Sequence, residues 1–103
     1  MGLFSKLFGG NNTANLQSLI NDGALLADVR TPVEFSEGHV TGSVNIPLDK
    51  VAVQLTKFKD KKHIIVFCRS GGRSSQAKLI LEQNGFANVT NGGSWTNVRQ
   101  FVK

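Results

Sequence analysis

The chain has 103 residues, room for one folded domain but not for two. Hydrophobic residues make up 40% of it, which excludes a disordered polar segment, and 12 Lys and Arg against 7 Asp and Glu leave a formal charge of +5 that favours anionic partners. A single cysteine excludes an internal disulfide, and the two histidines, His39 and His63, stand at no ligand spacing from Cys68 or from each other, so no metal and no cofactor are expected.

Residues 1–13 read as an extension, amphipathic or disordered. Leu3, Phe4, Leu7 and Phe8 share one face if residues 2–8 are helical, before Gly9-Gly10-Asn11-Asn12 breaks the chain. So short a segment binds a bilayer weakly, so packing on the domain or fraying is expected in place of a membrane anchor. The start has no apolar stretch long enough for a secretory signal, lacks the Ser or Thr at position 6 of a myristoylation pattern, and no transmembrane run follows. The cytoplasm is the expected compartment.

From Thr13 the pattern becomes regular. Thr13 or Asn15 is placed to cap a helix carrying Leu16, Leu19 and Ile20, closed by Gly23. Ala24 to Ala27 is a short apolar strand ending at Asp28. Ser43 to Ile46 is a second, stopped by Pro47. Leu48, Val51, Ala52, Leu55 and Phe58 recur at helical spacing. Lys57, Lys59, Lys61 and Lys62 form the tightest basic run, read as a solvated helix end and turn; only generic charge supports a nucleic-acid surface, and none is expected. Ile64-Ile65-Val66-Phe67 is apolar at every position, as a strand covered on both faces requires. Ala77, Ile80 and Leu81 mark a helix closed by Asn84-Gly85, Asn88 to Thr90 a short strand, and Val98, Phe101 and Val102 a last helix. Strands alternating with helices predict a parallel α/β sheet.

Chemistry concentrates after the buried strand. Cys68 ends it, and Arg69-Ser70-Gly71-Gly72-Arg73-Ser74 leads into the next helix. Ligands of open α/β sheets bind beyond the carboxyl ends of strands. Two glycines let the backbone curl so that several N–H groups converge, and the following helix adds its positive end. With Arg69 and Arg73 near, these effects should all favour a Cys68 thiolate. A lone cysteine after a strand is ordinarily a core residue, but a plain turn needs no two arginines flanking a double glycine.

The stretch from Cys68 to Ser74 resembles the active loop of single-domain rhodaneses. Asp28-Val29-Arg30-Thr31-Pro32-Val33-Glu34-Phe35, followed by Gly38-His39-Val40 and Gly42-Ser43-Val44-Asn45-Ile46-Pro47, is similar to that family's upstream signature. Gly85-Phe86-Ala87-Asn88-Val89 with Gly92-Gly93 is similar to the downstream one. The resemblance covers residues 14–103. It implies the rhodanese-like α/β fold, a parallel β-sheet with helices on both faces. It also implies a sulfurtransferase that moves a sulfane sulfur from thiosulfate or another persulfide donor to cyanide or a thiol through a Cys68 persulfide. Arg69, Ser70, Gly71, Gly72 and Arg73 would hold the persulfide and a small anionic donor, with a thiol or protein as acceptor.

Asp28, Arg30 and Ser74 are read as support, the first two as an ion pair beneath the site. Glu34 and His39 are read as scaffold, and Trp95 as a core or lid residue. Ser43 stands where the family commonly has alanine, so its hydroxyl needs a partner. Two alternatives use the same cysteine. One is a non-enzymatic persulfide carrier for a partner protein. The other is a cysteine phosphatase or arsenate reductase, disfavoured because four residues separate Cys68 from Arg73 where those loops have five, and because Phe67 stands where they commonly have histidine.

Overall fold

The computed structural model describes the backbone from Asn11 and the side chains from Leu16 to Lys103. The amphipathic reading of residues 2–8 lies outside the described residues. Helix α1 spans Asn11–Asn21 and starts before either expected cap. Gly23, at φ 86°, ends it and turns the chain into β1, Leu25–Asp28. A short helix α2 follows at Pro32–Ser36, then β2 at Val44–Asn45. Leu48–Val51 forms α3 and Leu55–Phe58 a single 3₁₀ turn. Strand β3, Ile64–Cys68, leads into α4, Gly72–Gln83. Strand β4, Val89–Ser94, leads into α5, Trp95–Arg99.

The four strands form one parallel sheet in the order β2-β1-β3-β4. Alternation along β3 divides the core in two. Ile64, Val66 and Cys68 face one side with Val51, Phe58, Ala77 and Leu81. Ile65 and Phe67 face the other with Leu16, Val40 and Val98. Helices α3 and α4 therefore cover one face and α1 and α5 the other, as the resemblance implied. Each apolar side chain of β3 taken out of water contributes about 1.5–3 kcal/mol, which makes this strand the backbone of the core. None of the helices among the described residues is long and apolar enough to cross a membrane.

Three local readings needed correction. The apolar positions from Leu48 to Phe58 do not make one helix: the chain breaks at Val53 and Gln54, the latter at φ −125°, ψ 38°. Val51 and Val53 are β-branched and no side chain caps α3, so nothing local sustains a longer helix. Strand β4 runs to Ser94, well past Thr90, because the Gly92-Gly93 backbone pairs with β3 through a bulge. The last helix begins at Trp95, where the Ser94 side chain accepts a hydrogen bond from the Asn97 N–H, and it ends before Phe101.

Candidate active site

Cys68 is the last residue of β3 and lies on the floor of the loop that joins β3 to α4, only 1% exposed. Gly71 caps α4 with φ 103°, a conformation that side chains other than glycine's rarely adopt. This turn directs the Gly71 N–H at Cys68 Sγ, 3.0 Å away, while the Ser74 N–H lies at 3.4 Å and the Ser74 hydroxyl at 3.5 Å. Burial pushes the thiol pKa up. The Ser74 hydroxyl and the N–H groups of Ser74, Ser70 and Gly71 outweigh it, so the pKa falls below the ordinary thiol value. These donors, more than the arginines, lower it, although Arg73 and the sulfur do attract each other. Arg69 is exposed to solvent, and Arg73 is committed elsewhere.

That commitment is a two-point ion pair with Glu34, from Arg73 Nη1 to Oε1 at 2.7 Å and Nη2 to Oε2 at 3.0 Å. Glu34 is held in place by a capping box. Its Oε1 accepts from the Thr31 N–H at 2.9 Å, and Thr31 Oγ1 accepts from the Glu34 N–H at 3.2 Å. The pattern Thr31-x-x-Glu34 after β1, with Pro32 at the first helical position, announces α2 in the sequence. The scaffold role assigned to Glu34 thus has a concrete form: it ties α2 to the end of the loop.

The Arg73 guanidinium holds the Glu34 carboxyl far down, at about 2. A carboxylate whose folded pKa lies below its unfolded value adds stability above the unfolded value, and that stability is lost as pH falls through the folded one. Thermal unfolding temperatures should therefore drop between about pH 4.5 and 2. Glu34→Gln should flatten that part of the profile. An unchanged slope in Glu34→Gln would show that other carboxylates control the acid limb.

Asp28 and Arg30 form the buried pair read beneath the site. Arg30 Nη2 lies 2.7 Å from Asp28 Oδ2, and Nε lies 2.9 Å from Oδ1. Arg30 Nη2 also donates to the Gly38 carbonyl at 2.7 Å. The pair does not hydrogen-bond to Arg73 among the described residues. Its guanidinium sits 4.6 Å from the centre of the Trp95 ring, and that of Arg99 sits 4.8 Å from it. Trp95, Arg30, Gly38, Glu34, Glu37 and Arg69 line a cleft of about 310 Å³ at the rim of the loop, and Trp95, half-buried, also packs against the core on the Phe67 side of the sheet. His39 stacks on Phe35 and its Nδ1 lies 2.9 Å from the Phe35 carbonyl, a structural place. The extra hydroxyl of Ser43 finds the Val40 carbonyl at 2.6 Å.

The structure thus brings Cys68, Ser70, Gly71 and Ser74 together around one sulfur, with Gly72 opening α4 beyond them. Arg69 is at the rim, Arg73 in the tie to Glu34, and Asp28 with Arg30 below. One residue not singled out from the sequence also reaches the ring: Asn91 of β4 contacts both Ser74 and Gly71.

Residues 12–99 match the family model of the rhodanese-like domain, and the chain belongs to that family. A protein of Allochromatium vinosum named sulfurtransferase is 31% identical over 70 residues, 68% of this chain and 65% of its own length. Thiosulfate sulfurtransferase PspE of Escherichia coli is 38% identical over 73 residues, 69% of this chain and 70% of its own. Among solved structures, a rhodanese with anions from E. coli superposes with a TM-score of 0.66 at 34% identity, covering 73% of this chain and 91% of that one.

Proposed function

We propose that the chain is a rhodanese-type sulfurtransferase whose sulfur carrier is Cys68. The observation that supports this best is the set of N–H and O–H donors converging on a buried Sγ. Such a nest favours an anion on sulfur without a general base, which suits a thiolate before reaction and a persulfide after it. The Cys68 thiolate attacks the outer sulfur of thiosulfate. A new S–S bond forms, the bond to the sulfonate sulfur breaks, and sulfite leaves with its electron pair. Cyanide or a thiolate then attacks the outer sulfur of the persulfide, takes it, and returns the Cys68 thiolate. Arg69, exposed at the rim cleft, draws the anionic donor inward.

The test is mass spectrometry of the intact chain after incubation with thiosulfate. One sulfur, ~32 Da, should appear on Cys68 and disappear on adding cyanide. Arg69→Ala should need several-fold more thiosulfate to reach half-conversion, because the contribution lost is to donor capture. A chain that stays unmodified at every thiosulfate concentration would overturn the reading. A chain that accepts sulfur but releases it only to a protein thiol would be a carrier. Hydrolysis of aryl phosphates dependent on Cys68 and faster than sulfur transfer would favour the phosphatase reading, against which the short ring stands.

A further inference from the structure

The Ser74 hydroxyl is fully buried and has one proton to donate. Three acceptors surround it: Asn91 Oδ1 at 2.7 Å, the Gly71 carbonyl at 3.1 Å and Cys68 Sγ at 3.5 Å. The Asn91 amide has only one orientation that satisfies its neighbours. The Gly93 N–H donates to Oδ1 at 2.9 Å, and Nδ2 donates to the Gly71 carbonyl at 3.3 Å. Oδ1 is therefore an acceptor for Ser74, in competition with the sulfur.

The bulge in β4 aims the side chain. Asn91 pairs with Val66 and Gly93 with Phe67, so Gly92 is the extra residue. Gly92 lies against Ile65 and Val98, on the opposite face of the sheet from Cys68, and a Cβ there would come within 2.7 Å of Val98. Asn91 thereby faces the start of α4, where the loop closes.

We propose that Asn91 is a positioning residue for the Cys68 chemistry: its Oδ1 accepts the hydrogen bond of the Ser74 hydroxyl when charge leaves Sγ and releases it to Sγ when the bare thiolate returns, the proton staying on the Ser74 oxygen throughout. The inference rests on the reading of Cys68 as the sulfur-bearing nucleophile. With a bare thiolate, the Ser74 O–H gains most by pointing at Sγ, a charge-assisted bond. Once a second sulfur is attached, Sγ is a neutral, weak acceptor and the charge sits one atom further out. A buried hydroxyl left without a partner costs about 1–3 kcal/mol. Asn91 Oδ1 removes that cost, since the hydroxyl turns to it without any heavy atom moving. The Gly71 carbonyl serves less well, being already engaged by the Ser75 N–H at 3.0 Å as well as by Asn91.

The test is the pH dependence of Cys68 alkylation by iodoacetamide, a neutral reagent, which reads the thiolate without requiring sulfur transfer. The charged groups around the ring are Arg69 and Arg73 of the loop and α4, Asp28 and Arg30 at the end of β1, and Glu34 of α2. None of them hydrogen-bonds to Ser74 or Asn91 among the described residues, and all stay in place in the variants. Asn91→Ala frees the Ser74 proton for the sulfur, so the midpoint should move down. Asn91→Asp holds the Ser74 O–H hydrogen bond more strongly than the amide does and adds a negative charge, so the midpoint should move up by roughly one unit, tenfold fewer thiolates at a pH below it. In a Ser74→Ala background, Asn91→Ala should leave the midpoint where Ser74→Ala alone puts it. Shifts in the same direction for both Asn91 variants, or an Asn91→Ala shift that survives Ser74→Ala, would overturn the proposal. If Asn91→Asp does not fold, the comparison of Asn91→Ala with and without Ser74 decides alone. Absence of a persulfide on the native chain sinks the nucleophile reading instead, and that outcome is read by mass, not by this profile.

Discussion

Cys68→Ser should abolish persulfide formation and sulfur transfer, with a loss on the order of 10³-fold or more, while the chain still folds. Serine is close to cysteine in size, and its oxygen still accepts from the Gly71 and Ser74 N–H groups that now meet Sγ. The loop shape comes from the positive φ of Gly71, the start of α4 and the Arg73–Glu34 tie, none of which involves the sulfur. What disappears is the anion. The nest that lowers a thiol pKa cannot bring an alcohol into the neutral range, so no nucleophile is present at the bottom of the ring. Thermal unfolding should stay close to that of the native chain. Turnover by a folded Cys68→Ser variant at even a tenth of the native rate would remove Cys68 from the mechanism.

Asp28→Ala should be among the most damaging single changes to stability, costing about 3–5 kcal/mol. Asp28 is fully buried and Arg30 is 4% exposed. Removing the carboxylate leaves a guanidinium with the Gly38 carbonyl and the Trp95 face but no counter-charge. It also removes the acceptor of the Arg30 backbone N–H, 3.0 Å from Asp28 Oδ1. A loss of this size is a large share of the roughly 5–15 kcal/mol that a small domain has. Urea unfolding provides the measurement. The double variant Asp28→Ala, Arg30→Met should recover much of the loss, because an apolar pair of similar volume needs no counter-charge. A cost below about 1 kcal/mol for Asp28→Ala would mean that Arg30 swings out to water, and that the pair is not a support beneath the site.

The most legible parts of the sequence were those where one residue type has one use. An all-apolar, largely β-branched run at β3 is what a strand covered on both faces requires, and a double glycine between two arginines after a lone cysteine marks the loop. The capping box of α2 could also have been read, since Thr31, Pro32 and Glu34 carry a helix-start signal that needs no tertiary context. Other features depend on partners distant in the chain. Glu34 and Arg73 are far apart in sequence, and nothing local marks either as the other's partner. Asn91 stands in a Thr-Asn-Gly-Gly stretch that reads as a turn, because asparagine and glycine disfavour strands. Pairing with β3 overrides that preference and turns the asparagine toward the loop. The pKa depression of Cys68 follows from the loop N–H groups that the double glycine announces, with arginine charge a smaller part than the sequence suggests. Sequence proximity suggested arginine charge, whereas the donors that reach the sulfur are N–H and O–H groups.

The two borders of the sheet bear on how another protein can approach. On one side β2 is only two residues long, and the side chain of its second residue, Asn45, is bonded to the carbonyls of Asp28 and Arg30. On the other side β4 is bent by its bulge and carries two glycines, so its outer row of N–H and C=O groups is neither straight nor stiff. Neither border is a good template for an incoming strand, the route by which many domains aggregate or capture extended peptides. If the sulfur acceptor of the proposed reaction is a protein, it would have to approach by side chains, with the rim around Arg69, Glu37 and Trp95 the open side of the ring, and present a thiol in place of a strand.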